Sequence, residues 1–285
     1  MLLQHLLFLL AFVLPLTCIA EVQNQNTSIR IENKIRRLDG VQLGPDQVAY
    51  KVEKLMAAAK VTGLGVAVIS KGEVVYQRAF GMADAERGRL LREDSVMYAA
   101  SFTKAMFATL LVQLAEEGAI DLDISIEQLL PKPLSEYEKY ADLAGDDRWK
   151  KITPRMLLSH TSGLPNWRWT EPGEKLVVHF TPGQRYAYSG EGINLLQFVL
   201  ETRLKLNVGD LMRERIFKPY KMQRTSMTWQ PEYESQIALG HDEKGDVLGH
   251  KQRSSARAAG SADSSLVDMA KFIRGMMRRE GITNG

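Results

Sequence analysis

The 285-residue sequence predicts an α+β protein, because strand-like runs come first, helical patterns fill the middle and another helical pattern follows near the end. Two β-rich runs, 65–70 and 73–80, flank a Lys71-Gly72 turn and predict a hairpin. The chain is 45% hydrophobic and 25% charged, which is typical of a globular protein with one large or two interleaved domains. It can therefore bury a substantial core.

The first predicted element is a signal peptide over residues 1–20, which contain no Asp, Glu, Lys or Arg. An uncleaved membrane anchor is the alternative, because about 20 uncharged residues approach the length that spans a bilayer. Cys18, the only cysteine, lies in this segment, so a cleaved chain has no disulfide. Residues 21–44 are polar and charged and are interpreted as a linker or an amphipathic lead-in, followed by one domain over 45–285.

Six further segments show helical patterns. The first, 46–60, has Asp46 as its expected N-cap and apolar residues on one face. The longest apolar run follows Ser101 and reaches Gly118, and its apolar residues cover nearly every face, which predicts a buried helix. The remaining patterns cover residues 154–158, 193–206, 209–216 and 264–279.

Charge and composition narrow the possible partners. The net charge is only +3, both signs are mixed along the chain, and no long basic run points to nucleic acid. Five histidines and one cysteine argue against a metal cluster. We therefore expect no cofactor, no metal and a small-molecule or peptide substrate, with membrane contact only if the N-terminal segment is retained.

The tetrad Ser101-Phe102-Thr103-Lys104 opens the buried helix and carries the main chemical signal. Residues three apart share a helix face, so the Ser101 hydroxyl and the Lys104 amine are expected to meet. A lysine in a buried helix needs a partner or loses its proton, and such a lysine can act as a base. In the alternative interpretation Ser101 is an N-cap and Lys104 reaches solvent. The tetrad alone does not decide between them.

Two later clusters are also candidates. In the first, residues 160–165, His160 could act as a base, but we favour a loop-bracing hydrogen-bond role. In the second, residues 182–192, Tyr188 lies among small residues. A tyrosine beside a lysine ammonium ionises more easily, so Tyr188 could take the Ser101 proton. The alternative is a packed ring with a satisfied hydroxyl.

The order of the three motifs resembles the serine β-lactamase-related family, and within it the branch of class C β-lactamases, D,D-peptidases and esterases. These motifs are the tetrad at Ser101, Leu157-Leu158-Ser159-His160-Thr161-Ser162-Gly163-Leu164-Pro165, and Pro182-Gly183 followed by Ala187-Tyr188-Ser189. Residues 62–76 are similar to that family's opening hairpin and 260–272 to its late helix. The resemblance covers about residues 55–277.

The resemblance implies an antiparallel sheet flanked by helices, with an inserted all-helical subdomain. It also implies that Ser101 attacks a carbonyl to form an acyl-enzyme, and that Lys104 and Tyr188 share the proton transfers. Which of these two residues is the main base stays open, as it does for the related class A enzymes. The substrate pocket is expected on loops, where Trp167, Trp169 and Trp229 could line it.

The sequence departs from the family pattern in two places. Where the family often has Tyr-x-Asn, this chain has Tyr188-Ser189-Gly190, so the amide that would hold an acyl-amide substrate is missing. No Lys-Thr-Gly or His-x-Gly motif follows Tyr188, so we expect a C-terminally truncated chain with an incomplete sheet. The predicted function is an exported serine hydrolase acting on an ester, peptide or amide. The alternative is a catalytically inactive binding or scaffold protein with the same fold.

Overall fold

The computed structural model describes residues 34–280, and its helices and small antiparallel sheets confirm the predicted α+β class. The helices are α1 (Pro45–Ala59), α2 (Phe102–Glu116), α3 (Ile126–Leu129), α4 (Pro154–Leu158), α5 (Gly190–Leu204), α6 (Val208–Met212) and α7 (Leu266–Met277). The strands are β1 (Ile35–Arg36), β2 (Gln42–Leu43), β3 (Gly63–Ser70), β4 (Glu73–Asp84), β5 (Arg89–Leu90), β6 (Val96–Tyr98), β7 (Gly240–His241), β8 (Val247–Leu248) and β9 (Asp263–Ser265).

The predicted hairpin forms the main sheet. Strand β3 pairs antiparallel with β4, and β4 pairs with β5. At the hairpin turn Lys71 and Gly72 both have positive φ, 52° and 75°, which is the backbone that a tight two-residue hairpin requires. The other pairs are β1 with β2, β6 with β9, and β7 with β8.

Helix α2 lies in the largest hydrophobic core, as its sequence predicts. Phe107, Leu110 and Leu111 are fully buried there, and α5 contributes buried residues to the same core. The sheet has a smaller cluster, in which Tyr76 and Phe80 of β4 pack with residues of α1. The site that begins at Ser101 is therefore built on the more deeply packed part of the described chain.

Three local predictions are corrected. Helix α1 begins at Pro45 and its N-cap is Gly44, two residues before the expected Asp46, because the fixed φ of Pro45 suits the first helical position. In the predicted linker, residues 34–44 contain the hairpin of β1 and β2, which turns at Gly40 with φ 85°. The last helical pattern opens with strand β9, because 263–265 pair with β6 before Ser265 caps α7.

Two predictions concern segments outside the described residues. The predicted signal peptide, residues 1–20, lies outside them. The predicted C-terminal truncation concerns the end of the chain, and the residues after 280 also lie outside them. Within residues 34–280, none of the helices has the length and apolar character that crossing a membrane requires.

Candidate active site

Ser101 and Lys104 meet at the first turn of α2. Ser101 is the N-cap and is exposed, whereas Lys104 is only 7% exposed. The Lys104 Nζ donates a hydrogen bond to Ser101 Oγ at 3.1 Å and another to the Ala259 carbonyl at 2.5 Å. The spacing prediction is confirmed, and the buried lysine has the partners that its burial requires.

The segment 259–262 holds the head of α2 in place. The Ala262 N–H donates to Thr103 Oγ1 at 3.1 Å, and the Ala99 N–H donates to the Ala262 carbonyl at 2.9 Å. The chain enters the helix through Ala100, whose φ of 45° is rare for a residue with a side chain. These bonds fix the backbone on both sides of Ser101.

Tyr188 lies beside the Ser101–Lys104 pair. Its ring centroid is 4.8 Å from the Lys104 Nζ. Burial opposes ionisation of the phenol, but hydrogen bonding to Lys104 and Ser101, together with the Lys104 charge, lowers the pKa of Tyr188 below 10.0. The phenol therefore gives up its proton more readily than a free tyrosine does.

The two later motifs of the sequence are bonded to each other. The N–H groups of Gly183 and Ala187 donate to the carbonyls of Thr161 and His160, both at 2.8 Å. Ser189 Oγ donates to the Pro165 carbonyl at 2.8 Å and accepts from the N–H of Gly192, so it also caps α5. Residues 160–166 therefore hold residues 183–189, the segment that carries Tyr188, in place.

Gly163 shows why this support needs a glycine. Its φ is 84°, and a Cβ added there would lie 2.5 Å from the Phe180 carbonyl oxygen. The His179 N–H donates to the Gly163 carbonyl at 2.9 Å, so the two segments approach closely at this point. Any side chain at 163 would push them apart.

His160 has the bracing role that the sequence analysis favoured. Its Nδ1 accepts a hydrogen bond from the Ser189 N–H at 3.2 Å. Its ring centroid is 4.5 Å from that of Tyr188. Burial and the Lys104 charge lower the pKa of His160 below 6.5, although the Ser189 N–H acts in the opposite direction.

Two stacked tryptophans, Trp167 and Trp169, lie at the site, next to Gly190. The Trp167 and Trp169 rings stack at 4.7 Å with an interplanar angle of 9°, and Trp167 lies 5.8 Å from the Lys104 Nζ. A Cβ added to Gly190 would lie 2.4 Å from the Trp167 ring. The indole therefore fills the space that any side chain at 190 would need.

An ion pair anchors this aromatic loop. Arg168, between the two tryptophans, pairs with the buried Glu191 at 2.9 Å. The backbone N–H groups of Gly190 and Glu191 both donate to the Asn166 carbonyl at 3.0 Å. Removing either partner of a largely buried ion pair is costly, so this pair and the two hydrogen bonds hold the loop against the first turn of α5.

Comparison with known proteins decides the family. The family model described as Beta-lactamase matches residues 48–284. The chain belongs to the Beta-lactamase family. This membership confirms the resemblance and the fold that the sequence analysis drew from it.

This chain is similar to relatives that are named both as an esterase and as a penicillin-binding protein. The chain is 32% identical to Esterase EstB of Burkholderia gladioli over 115 residues, covering 40% of this chain and 28% of the esterase. It is 25% identical to Penicillin-binding protein 4* of Bacillus subtilis over 173 residues, covering 54% and 35%. The chain thus spans about a third of the length of these curated relatives.

Two solved structures share the fold. The octameric penicillin-binding protein homologue of Pyrococcus abyssi superposes with a TM-score of 0.65 at 25% identity, covering 83% of this chain and 57% of the other. The D-alanine carboxypeptidase AmpC of Burkholderia cenocepacia gives 0.68 at 20% identity, covering 84% and 65%. At 20% identity, the similarity to the carboxypeptidase structure shows a shared fold and nothing about activity.

This β-lactamase-family chain brings together Ser101, Lys104 and Tyr188, the three site residues that the sequence predicted. Of the candidate pocket tryptophans, Trp167 and Trp169 lie at the site. Trp229 instead packs against the rings of Tyr233 and His250.

Two site contacts were missed. One is the Ala259 carbonyl that holds Lys104, which no sequence pattern reveals because it is backbone. The other is the placement of Trp167 over Gly190. The unusual glycine at 190 was the available signal for it.

Proposed function

We propose that this protein is an exported serine hydrolase that cleaves esters through an acyl-enzyme on Ser101. The observation that carries the proposal is the 3.1 Å hydrogen bond from the buried Lys104 to the exposed Ser101 hydroxyl. A nucleophile and a proton-handling group within hydrogen-bond reach, with a third group beside them, are the arrangement that covalent catalysis needs.

The acylation step uses Tyr188 as the base. Lys104 donates to two oxygens, which suits a charged ammonium, and its charge favours the Tyr188 phenolate. The phenolate takes the Ser101 proton as Oγ attacks the ester carbonyl carbon. Negative charge then develops on the carbonyl oxygen near the N-terminal end of α2, where the positive end of the helix dipole favours it.

The intermediate collapses by breaking the ester C–O bond. The leaving alkoxide receives the proton from Tyr188, and the acyl group stays on Ser101. In the second half, Tyr188 removes a proton from water as that water attacks the acyl carbon. The bond to Ser101 Oγ breaks, Oγ regains the proton from Tyr188, and a carboxylic acid leaves.

The surroundings of Gly190 favour esters over peptides and β-lactams. A substrate with an amide side chain loses hydrogen bonds to water when it binds, and these must be replaced. Gly190 has no side chain, and the apolar Trp167 ring occupies the adjacent space. An ester with an apolar acyl group does not incur this cost.

Export follows from residues 1–20. Their uncharged, apolar sequence is typical of a secretory signal cleaved after Ala20. Expression of the chain in a bacterial host, followed by N-terminal sequencing of the exported protein, tests this. A protein beginning at Glu21 supports cleavage, whereas an intact Met1 in the membrane fraction supports the anchor.

The hydrolase proposal is tested by rapid mixing with 4-nitrophenyl acetate. We expect a burst of 4-nitrophenol about equal to the enzyme concentration, then slower turnover, because acylation precedes deacylation. Ser101→Ala should show no burst, and the exposed Ser70→Ala serves as the matched control. The corresponding anilide and a chromogenic β-lactam should turn over at least about 10²-fold more slowly.

Two results would overturn the proposal. A burst from Ser101→Ala equal to that of the unaltered protein would remove Ser101 from the chemistry. A folded protein that hydrolyses no ester, anilide or β-lactam would favour the catalytically inactive scaffold.

A further inference from the structure

His160 bonds the residues on both sides of Tyr188. Its backbone carbonyl accepts the Ala187 N–H at 2.8 Å, and its side-chain Nδ1 accepts the Ser189 N–H at 3.2 Å. Its ring also contacts the Tyr188 ring, with centroids 4.5 Å apart at an angle of 42°. One residue thus holds the tyrosine at three points.

The backbone of His160 is in an uncommon conformation. Its φ is 57°, in the left-handed region, where histidine, asparagine and aspartate are enriched among residues with side chains. Such a conformation persists only where the surroundings over-determine it, and such positions cluster at functional sites. Here it lets the carbonyl and the ring of one residue reach the same neighbouring segment.

The side-chain contact depends on the protonation of the ring. An Nδ1 that accepts a hydrogen bond carries no proton, so the neutral ring has its proton on Nε2. The charged and titratable groups that face the ring are Lys104, Tyr188 and Tyr186. The Lys104 charge and burial keep the pKa of His160 below 6.5, so the acceptor is available at neutral pH.

We propose that His160 is a positioning residue for Tyr188, and that protonation of its ring releases the tyrosine and switches off hydrolysis in acid. The inference rests on the proposed function, because it assigns the tyrosine to proton transfer. A charged His160 has a proton on Nδ1, which repels the Ser189 N–H. The segment that carries Tyr188 then loses one of the two hydrogen bonds by which His160 holds Ala187 and Ser189.

The test compares His160→Asn with His160→Gly. Both replacements tolerate a positive φ, and both remove the ring. Only asparagine keeps an acceptor oxygen near the position of Nδ1, and that oxygen does not titrate. Any difference in rate between these two variants therefore reports the hydrogen bond to Ser189, because both variants lack the ring and both accept the backbone conformation.

We expect His160→Asn to retain kcat for 4-nitrophenyl acetate within about threefold, and His160→Gly to lose about 10- to 100-fold with little change in KM. Circular dichroism confirms that both variants are folded. The inference is overturned if folded His160→Gly keeps the unaltered kcat, or if His160→Asn loses as much as His160→Gly.

The pH profile separates positioning from a merely structural role. The unaltered protein should show a step in kcat with a midpoint below pH 6.5, as His160 gains a proton, and His160→Asn should lack this step. The same step in His160→Asn would assign it to another group and contradict the switch.

A readout without turnover keeps this inference distinct from the proposed function. The ultraviolet absorbance of phenolate, taken as the difference from Tyr188→Phe, reports the ionisation of Tyr188. Its midpoint should shift toward 10.0 in His160→Gly as the tyrosine leaves Lys104, and stay in place in His160→Asn. An unshifted midpoint in His160→Gly refutes the positioning role, whereas Ser101→Ala activity equal to that of the unaltered protein refutes only the acyl-enzyme on Ser101.

Discussion

The two halves of the site are held in different ways. Lys104 belongs to α2 and Ser101 is its N-cap, and α2 has eight buried residues among its fifteen and lies in the largest core. Tyr188 lies on segment 181–189, which forms no helix or strand and is mostly exposed. That segment is fixed by hydrogen bonds to 160–166.

This difference separates the requirements for stability from those for activity. Packing around α2 fixes Ser101 and Lys104, so changes in that packing should mainly affect the free energy of unfolding. The tyrosine depends on a few hydrogen bonds in a segment with little buried area. Changes there should affect the rate and leave the core intact.

The largest effect is expected from Phe107→Ala, a fully buried residue of α2. Removing the ring leaves a cavity and should lower the free energy of unfolding by about 3–5 kcal/mol, measured by urea denaturation. Activity per folded molecule should change little.

Phe102→Ala is the matched control, because Phe102 lies on the same helix but is 65% exposed. It should cost about 0.5 kcal/mol or less. An equal loss in both variants would show that burial does not distinguish the two positions and would break the comparison.

Tyr188→Phe should lower the activity and leave the stability unchanged, which is the opposite of Phe107→Ala. We expect a loss of about 10²-fold or more in kcat/KM for esters, because the proton acceptor is removed, with an unchanged unfolding midpoint. Tyr186→Phe is the control, since Tyr186 is exposed and its ring lies perpendicular to that of His160 with the centroids 5.8 Å apart. Equal rates for Tyr188→Phe and the unaltered protein would remove Tyr188 from the mechanism.

Gly190→Ala tests the close contact between Gly190 and the Trp167 ring. The new Cβ would lie 2.4 Å from the Trp167 ring, so the loop must move, at a cost of about 1–3 kcal/mol in stability. Trp167→Ala in the same chain should relieve this cost, and a double-mutant cycle measures the coupling. Additive effects would contradict the contact.

The smallest effect concerns pH and stability. His160 has a lowered pKa in the folded state, so the unfolded chain binds its proton first as the pH falls through 6.5. The contribution of His160 is therefore complete above pH 6.5 and is lost on acidification. The urea midpoint should fall more between pH 7.5 and 5.5 in the unaltered protein than in His160→Asn, and an equal fall would contradict the assignment.

Helix periodicity made the first half of the site predictable. Spacing placed Lys104 next to Ser101, and the continuous apolar run placed both on a buried helix. The Lys71-Gly72 turn predicted the main hairpin for an equally local reason.

The second half depends on contacts between segments distant in sequence. Nothing in the spacing of residues 160–165 and 182–189 reveals that they bond to each other, and the resemblance to a family was needed to link Tyr188 with Ser101. The short strand β9 was missed because its three residues are too few to show alternation. Its pairing with β6 decides its conformation.

The central claim is that Ser101 is the nucleophile. The most direct measurement is mass spectrometry of the protein after treatment with a fluorophosphonate, which bonds covalently to an activated serine. We predict one adduct, on the peptide that contains Ser101, and none in Ser101→Ala. Labelling of Ser101→Ala to the same extent, or an adduct on a different serine, would contradict the account.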